Sequence, residues 1–348
     1  MPENTHRMVT DVPHAKVRAV TERVVQELTL AADKVAAHYA EPAKYPLPAD
    51  RTAAEHLVAR RFDSLTDERK KKAAVTVLAD LKTGAVRTRR LGDLARVDLR
   101  SPASVDTQVK RLGFPERLRF PADELRKPPT SLLPEESAPQ GLAAVPAALH
   151  KLELRIHRVK CLDETSEWGS DEIHLAGTSV DESGDTLKIG QFKVRSFDDG
   201  DVKVYDPPRR FHWFGLDEGT KYPKSYFVTL VLAEVDWGGL ADYVGALLDL
   251  IKKKVTAYLA AAIGGAIGAS GGPVGILIGM AVGAAVGWVF DQLKGLFGDE
   301  VFKPVTVNAV IPSLTGRWAG RPFTAPAVAD YRGHGGHYQL TYDWRMYD

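Results

Sequence analysis

Three short stretches crowd carboxylates closely enough to do chemistry. "CLDETSEWGSDEI" carries Asp163, Glu164, Glu167, Asp171 and Glu172; "SFDDGDVKV" carries Asp198, Asp199 and Asp201; "GLDEGTK" carries Asp217 and Glu218. Neighbouring carboxylates repel unless a cation neutralises them, and Ca²⁺ takes about six to eight oxygen ligands from loops of this kind. If the strand-like runs between them form an antiparallel meander, the three loops emerge at one end. Asp163, Glu164, Asp171, Glu172, Asp198, Asp199 and Asp201 are then the expected calcium ligands. The same composition also arises from turn chemistry alone.

Other chemistry-bearing residues point to less. "GASGG" (268–272) has the G-x-S-x-G spacing of hydrolases, but that motif needs a strand before the serine. Ser270 lies between two helical patterns, so no catalytic role is expected. His334 and His337 in "GHGGHYQLTYDWR" lack a third zinc ligand and read as a turn entering the last strand. The lone Cys161 has the apolar parity of its strand and reads as a core thiol.

The next feature is physical rather than catalytic. No residue from Val255 to Phe290 is charged, and glycines recur every fourth position: Gly264, Gly268, Gly272, and then Gly275, Gly279, Gly283, Gly287. Glycine costs about 1 kcal/mol per position in an exposed helix, so the repeat needs a reason. A glycine groove lets another helix approach closely, as in membrane helix pairs. Pro273 starts a helix but does not continue one. The expected unit is a helical hairpin with arms 255–271 and 273–290, each about 26 Å long against a hydrocarbon core of about 30 Å. Tyr258 and Trp288 lie near the outer ends, where interfacial aromatics belong. The preceding amphipathic stretch, 238–254, could cover the hairpin or lie on a bilayer surface.

These features need elements to hold them. Residues 1–120 read as an α-helical domain, with a stripe through Val17, Val20, Val24, Leu28, Ala31 and Val35 and an N-cap at Thr66. Their 23 Lys and Arg against 16 Asp and Glu contrast with 23 against 29 in the remainder. The runs "RKKK" and "RTRR" have no interleaved aromatics, which argues for solvated faces and against a nucleic-acid partner. Residues 121–149 read as a Pro-rich linker. Residues 150–348 show eight strand-like runs, a bulge near His157 and the helical block 238–298. Strand parity places that block at the opposite end from the acidic loops. The expected fold is α+β: an N-terminal helical domain, then an antiparallel β-sandwich with an inserted glycine-rich helical hairpin.

"CLDETSEWGSDEI", "FDDGDVKVYDPP", the glycine run and "GHGGHYQLTYDWR", in that order, resemble a group of largely uncharacterised bacterial proteins. That resemblance implies no activity and no catalytic residue. The hairpin by itself is similar in composition to those of colicin-like toxins and injected effectors. No apolar signal segment opens the sequence, so cytoplasmic synthesis is expected. The functional expectation is a non-enzymatic, membrane-active effector stored in soluble form. A contractile injection system or similar machine would deliver it, and it could oligomerise on the bilayer. The alternative is a structural or binding module whose hairpin stays buried.

Overall fold

The computed structural model describes residues 5–9, 12–126, 146–165, 170–183, 185–218, 222–234, 240–265, 273–297 and 301–348. The chain is α+β. After a short strand β1 (Thr5–Met8) come helices α1 (Ala15–Ala40), α2 (Ala54–Asp63), α3 (Asp67–Lys82), α4 (Gly84–Leu91), α5 (Val105–Leu112) and α6 (Asp123–Arg126). Strands β2 (Lys151–Asp163), β3 (Asp171–Val180), β4 (Thr186–Phe197), β5 (Val202–Gly215) and β6 (Lys224–Glu234) follow. Helices α7 (Leu240–Ile263) and α8 (Pro273–Phe297) precede β7 (Val305–Ile311), β8 (Ala327–Gly333) and β9 (Gly336–Tyr347).

The strands form two antiparallel sheets. One has the order β1-β7-β6-β3-β4 and the other β5-β2-β9-β8. Inward residues of both, including Leu154, Ile156, Phe214, Tyr226, Leu230, Leu340 and Trp344, make the core of a β-sandwich. A second core lies outside the five-stranded sheet. It joins Phe227, Val231 and Val310 of that sheet to Leu247, Ile251, Leu277, Ala281 and Val286 of α7 and α8, and to Val20, Val24, Leu28 and Val35 of α1. The order of layers is therefore sheet, sheet, α7 with α8, then the N-terminal helices. Two-sided burial explains why "SYFVTLVLA" in β6 is apolar without alternation.

Several expectations change. The runs "VKVYD" and "RRFHWFGL" are one strand, β5, and its pairing with β2 shifts register between Leu154 and Arg155 and again across His157. Merging them reverses the parity count: Asp217 and Glu218 leave the acidic end, and α7 departs from β6 at that end rather than the opposite one. Thr165 Oγ1 lies 2.9 Å from a Glu234 carboxylate oxygen at the end of β6, which fixes the proximity. The strands β1 and β8 were not foreseen; both are short edge strands with little periodicity to read. The residues expected as a separate amphipathic helix, 238–254, and the first hairpin arm, 255–271, differ too. One continuous helix runs from Leu240 to Ile263. It ends at Gly264, whose φ of 71° favours glycine. Gly265 N–H then bonds Ala260 O and Gly264 N–H bonds Ala261 O, the 6→1 and 5→2 pair of a Schellman cap.

Candidate functional site

The structure scatters part of the expected calcium set and gathers the rest. Asp171 is fully buried at the start of β3. Its carboxylate accepts from Thr165 N (2.7 Å), Thr165 Oγ1 (2.8 Å) and the Tyr338 hydroxyl. Glu172, next in the strand, points to the other face and pairs with Lys193 (2.7 Å) and His174 (3.1 Å). Asp201 pairs with Arg195 at 3.0 Å. Asp163 is exposed, 3.9 Å from His337 Nδ1. Two loops do meet: Asp199 Oδ1 accepts from Glu164 N–H over 2.7 Å, beside Asp198. Partial burial and then the charges of Asp199, Asp171 and Asp198 raise the Glu164 pKa. Glu167 lies outside the described residues. Among the described residues no group of three His, Cys, Asp or Glu side chains is placed to hold a metal ion.

Asp171 thus ties a loop to two strands through three hydrogen bonds. Asp171→Asn turns one acceptor into a donor facing donors, which costs about 2–3 kcal/mol. Thermal melts should show that loss equally with and without millimolar Ca²⁺, whereas Glu172→Gln should leave the melting temperature nearly unchanged, because its ion pairs are exposed to solvent.

The other candidates have structural surroundings. His334 (φ 57°) and Gly335 (φ 86°) form the two-residue turn between β8 and β9, closed by Gly333 opposite Gly336. His337 Nε2 lies 2.7 Å from Asp330 Oδ1. Cys161 is fully buried, and burial pushes its thiol up to about 11. Ser270, Gly268 and Gly272 lie outside the described residues.

The glycine repeat has a different partner from the one expected. A Cβ on Gly279 would collide with the buried Phe227 ring of β6. A Cβ on Gly283 would lie 2.8 Å from Thr306 Cγ2 of β7, and one on Gly287 would lie 3.7 Å from Lys303. The face of α8 that was expected to meet the other helical arm is therefore a groove for sheet side chains. Gly275 is buried in the same helix, and Gly264 caps α7 with open space beside it. Trp288 is half-buried between two clefts, one against Gln26 and Arg90 and one against Met8 and Lys303. Among the described residues no helix is long and apolar enough to cross a membrane.

Tyr258, expected at a lipid interface, instead donates its hydroxyl to Glu27 of α1. Lys254 reaches the same carboxylate at 2.5 Å and Asp106 at 3.0 Å. Burial pulls the Lys254 ammonium down, but the charges and hydrogen bonds of Glu27 and Asp106 outweigh it and leave its pKa raised. This buried cluster was missed, although the sequence carries its signal. Lys254 stands at +3 from Ile251 and Glu27 at +3 from Val24, each inside an apolar stripe.

A second buried carboxylate in α1 makes stability depend on pH. Asp33 is 6% exposed and bonded to Arg90. Burial raises its pKa from 3.8 to about 6 against the opposing pull of Arg90. The folded state therefore binds a proton before the unfolded state does. This group's contribution to stability rises as pH falls from about 6 towards 4, by up to about 2–3 kcal/mol. In denaturant titrations at pH 6.5 and 4.5, Asp33→Asn should lack that gain.

No family model, curated protein or solved structure matches this chain.

Proposed function

We propose that the protein is a non-catalytic binding module in which α7 and α8 are a permanent structural layer. The observation that carries this reading is the fit of Phe227 and Thr306 into the glycine face of α8. That fit gives the repeat a purpose inside the folded chain, with no bilayer needed. The buried Glu27, Lys254 and Tyr258 cluster supports it by tying α7 to α1.

A second reading keeps the same fold as a storage form. The uncharged run from Val255 to Phe290 favours it. On that reading α7 and α8 form a hairpin that leaves the sheet for a lipid bilayer, after delivery by an injection machine, and oligomerises there. Neither reading requires calcium: among the described residues Glu164, Asp198 and Asp199 approach one another, but no group of three is placed to hold a metal ion. Flotation with anionic liposomes and dye release, with and without Ca²⁺, separate the two. The module reading expects no flotation and no leakage by the folded protein. Flotation with leakage would reject it in favour of the second.

A further inference from the structure

Among the described residues no helix or sheet covers the outer face of the four-stranded sheet β5-β2-β9-β8, unlike the outer face of its partner sheet. Its register brings together Val202, Val204, Arg210 and Trp213 from β5 with Arg158 and Lys160 from β2. Arg345 and Tyr347 from β9, and Val328 from β8, share that face. Four large apolar side chains are exposed on this one face: Trp213 (51%), Val204 (61%), Val328 (43%) and Val202 (37%). Such a concentration marks an interaction surface rather than scattered exposure.

Charge decides the kind of partner. Four carboxylates share the face; three are paired with a cation on it, and the exposed Asp163 at its end lies 3.9 Å from His337. Glu153 pairs with Lys151 (3.0 Å), Asp343 with the Arg155 fork, and Asp330 with Arg332 (2.9 Å). The cations Arg158, Lys160 and Arg345 have no carboxylate partner among the described residues. Arg158 Nε donates to the Thr341 hydroxyl, at 3.2 Å. Arg345 stacks between Phe323 and Tyr347, with its guanidinium carbon 5.8 and 5.0 Å from the ring centroids. Its Nε is buried without a hydrogen bond. Stacked arginine and half-exposed tryptophan are the residue types that anchor protein interfaces. The edge strand β5 carries Pro207 and Pro208, which lack the N–H needed for strand addition, so a partner meets the face and not the edge.

We propose that this face binds an acidic, amphipathic segment of another protein. The partner's carboxylates meet Arg158, Lys160 and Arg345, and its aliphatic side chains meet Val202, Val204 and Trp213. The valines favour a protein over single-stranded nucleic acid, whose bases need a run of aromatic platforms. The inference does not depend on whether α7 and α8 stay buried.

The test is fluorescence anisotropy of a labelled peptide of leucine and glutamate with the full chain, against poly-glutamate and oligo-dT. The leucine–glutamate peptide should bind, and more weakly at higher salt. Arg158→Glu with Arg345→Glu should weaken it at least tenfold. Val204→Ser with Trp213→Ser should weaken it several-fold. Melting temperatures of these surface variants keep a folding defect apart from a binding defect. The proposal is overturned if the peptide fails to bind at millimolar concentration, if poly-glutamate binds equally well, or if oligo-dT binds more tightly. It is also overturned if sedimentation shows that the chain self-associates through this face and the arginine variants dissolve the assembly.

Discussion

Gly279→Leu should destabilise the folded protein by about 3 kcal/mol, despite leucine's better helix propensity. The Cβ alone has no room, because Phe227 fills that space and is itself 1% exposed, with nowhere to move. On a helix face meeting solvent or lipid the same change would be neutral or stabilising. Chemical denaturation reads the sign directly. A double mutant separates this contact from general disruption. Phe227→Ala should cost about 3–5 kcal/mol alone through its cavity. Combined with Gly279→Leu it should cost at least 1 kcal/mol less than the sum, because each change relieves the other. Strict additivity would mean that the ring and the glycine do not share that space. Gly264→Ala, at an open position with positive φ, should cost only the backbone strain of about 1 kcal/mol.

The loss of one partner in the buried cluster should cost even more. Glu27→Leu leaves the Lys254 ammonium, which is 9% exposed, with only Asp106. An uncompensated buried charge costs about 3–5 kcal/mol. Lys254→Met should do the same to the Glu27 carboxylate. The double variant should recover most of the loss, since an apolar pair of similar volume fits where the ions were. For contrast, cutting the exposed Arg119–Glu116 pair should change stability by less than 1 kcal/mol. Equal and additive losses in the two single variants and the double would rule out a coupled pair.

The fold was legible where apolar residues keep a clear period, even in α1, which is buried on every side from Glu27 to Ala37. The α1 stripe, the Thr66 cap and the strands β2 and β9 could be read from period alone. β6 was readable as a strand, but its continuous apolar run also recorded a second buried face, because α8 covers it. Two chain breaks were misread for identifiable reasons. Asp206, Pro207 and Pro208 look like the end of a strand, yet β5 continues past them as an edge strand, where a missing N–H costs nothing. The charged triplet Lys252–Lys254 looks like a boundary, yet one lysine finds a buried carboxylate and the helix runs on. The acidic loops illustrate a different limit. Strand counting placed the loops of Glu164 and Asp199 at one end, where they meet, but side-chain direction sends Asp171 inward and Glu172 outward. Neighbours in sequence therefore contribute to opposite sides of the sheet.

The pairing of β1 with β7 has a consequence for synthesis. Thr5 sits opposite Val310 and Met8 opposite Val307, so the first strand closes against one made about 300 residues later. Between them, α1 packs on α7 and α8, which are also late in the chain. A ribosome adding about 5–20 residues per second needs roughly 15–60 s to cover that distance. Helix α8 ends about 260 residues after α1, so for roughly 13–50 s the apolar stripe of α1 has emerged while the helices that cover it are incomplete. A nascent chain of this design depends on a holding chaperone, or on the helices α1 to α5 covering one another provisionally, until its last quarter leaves the tunnel.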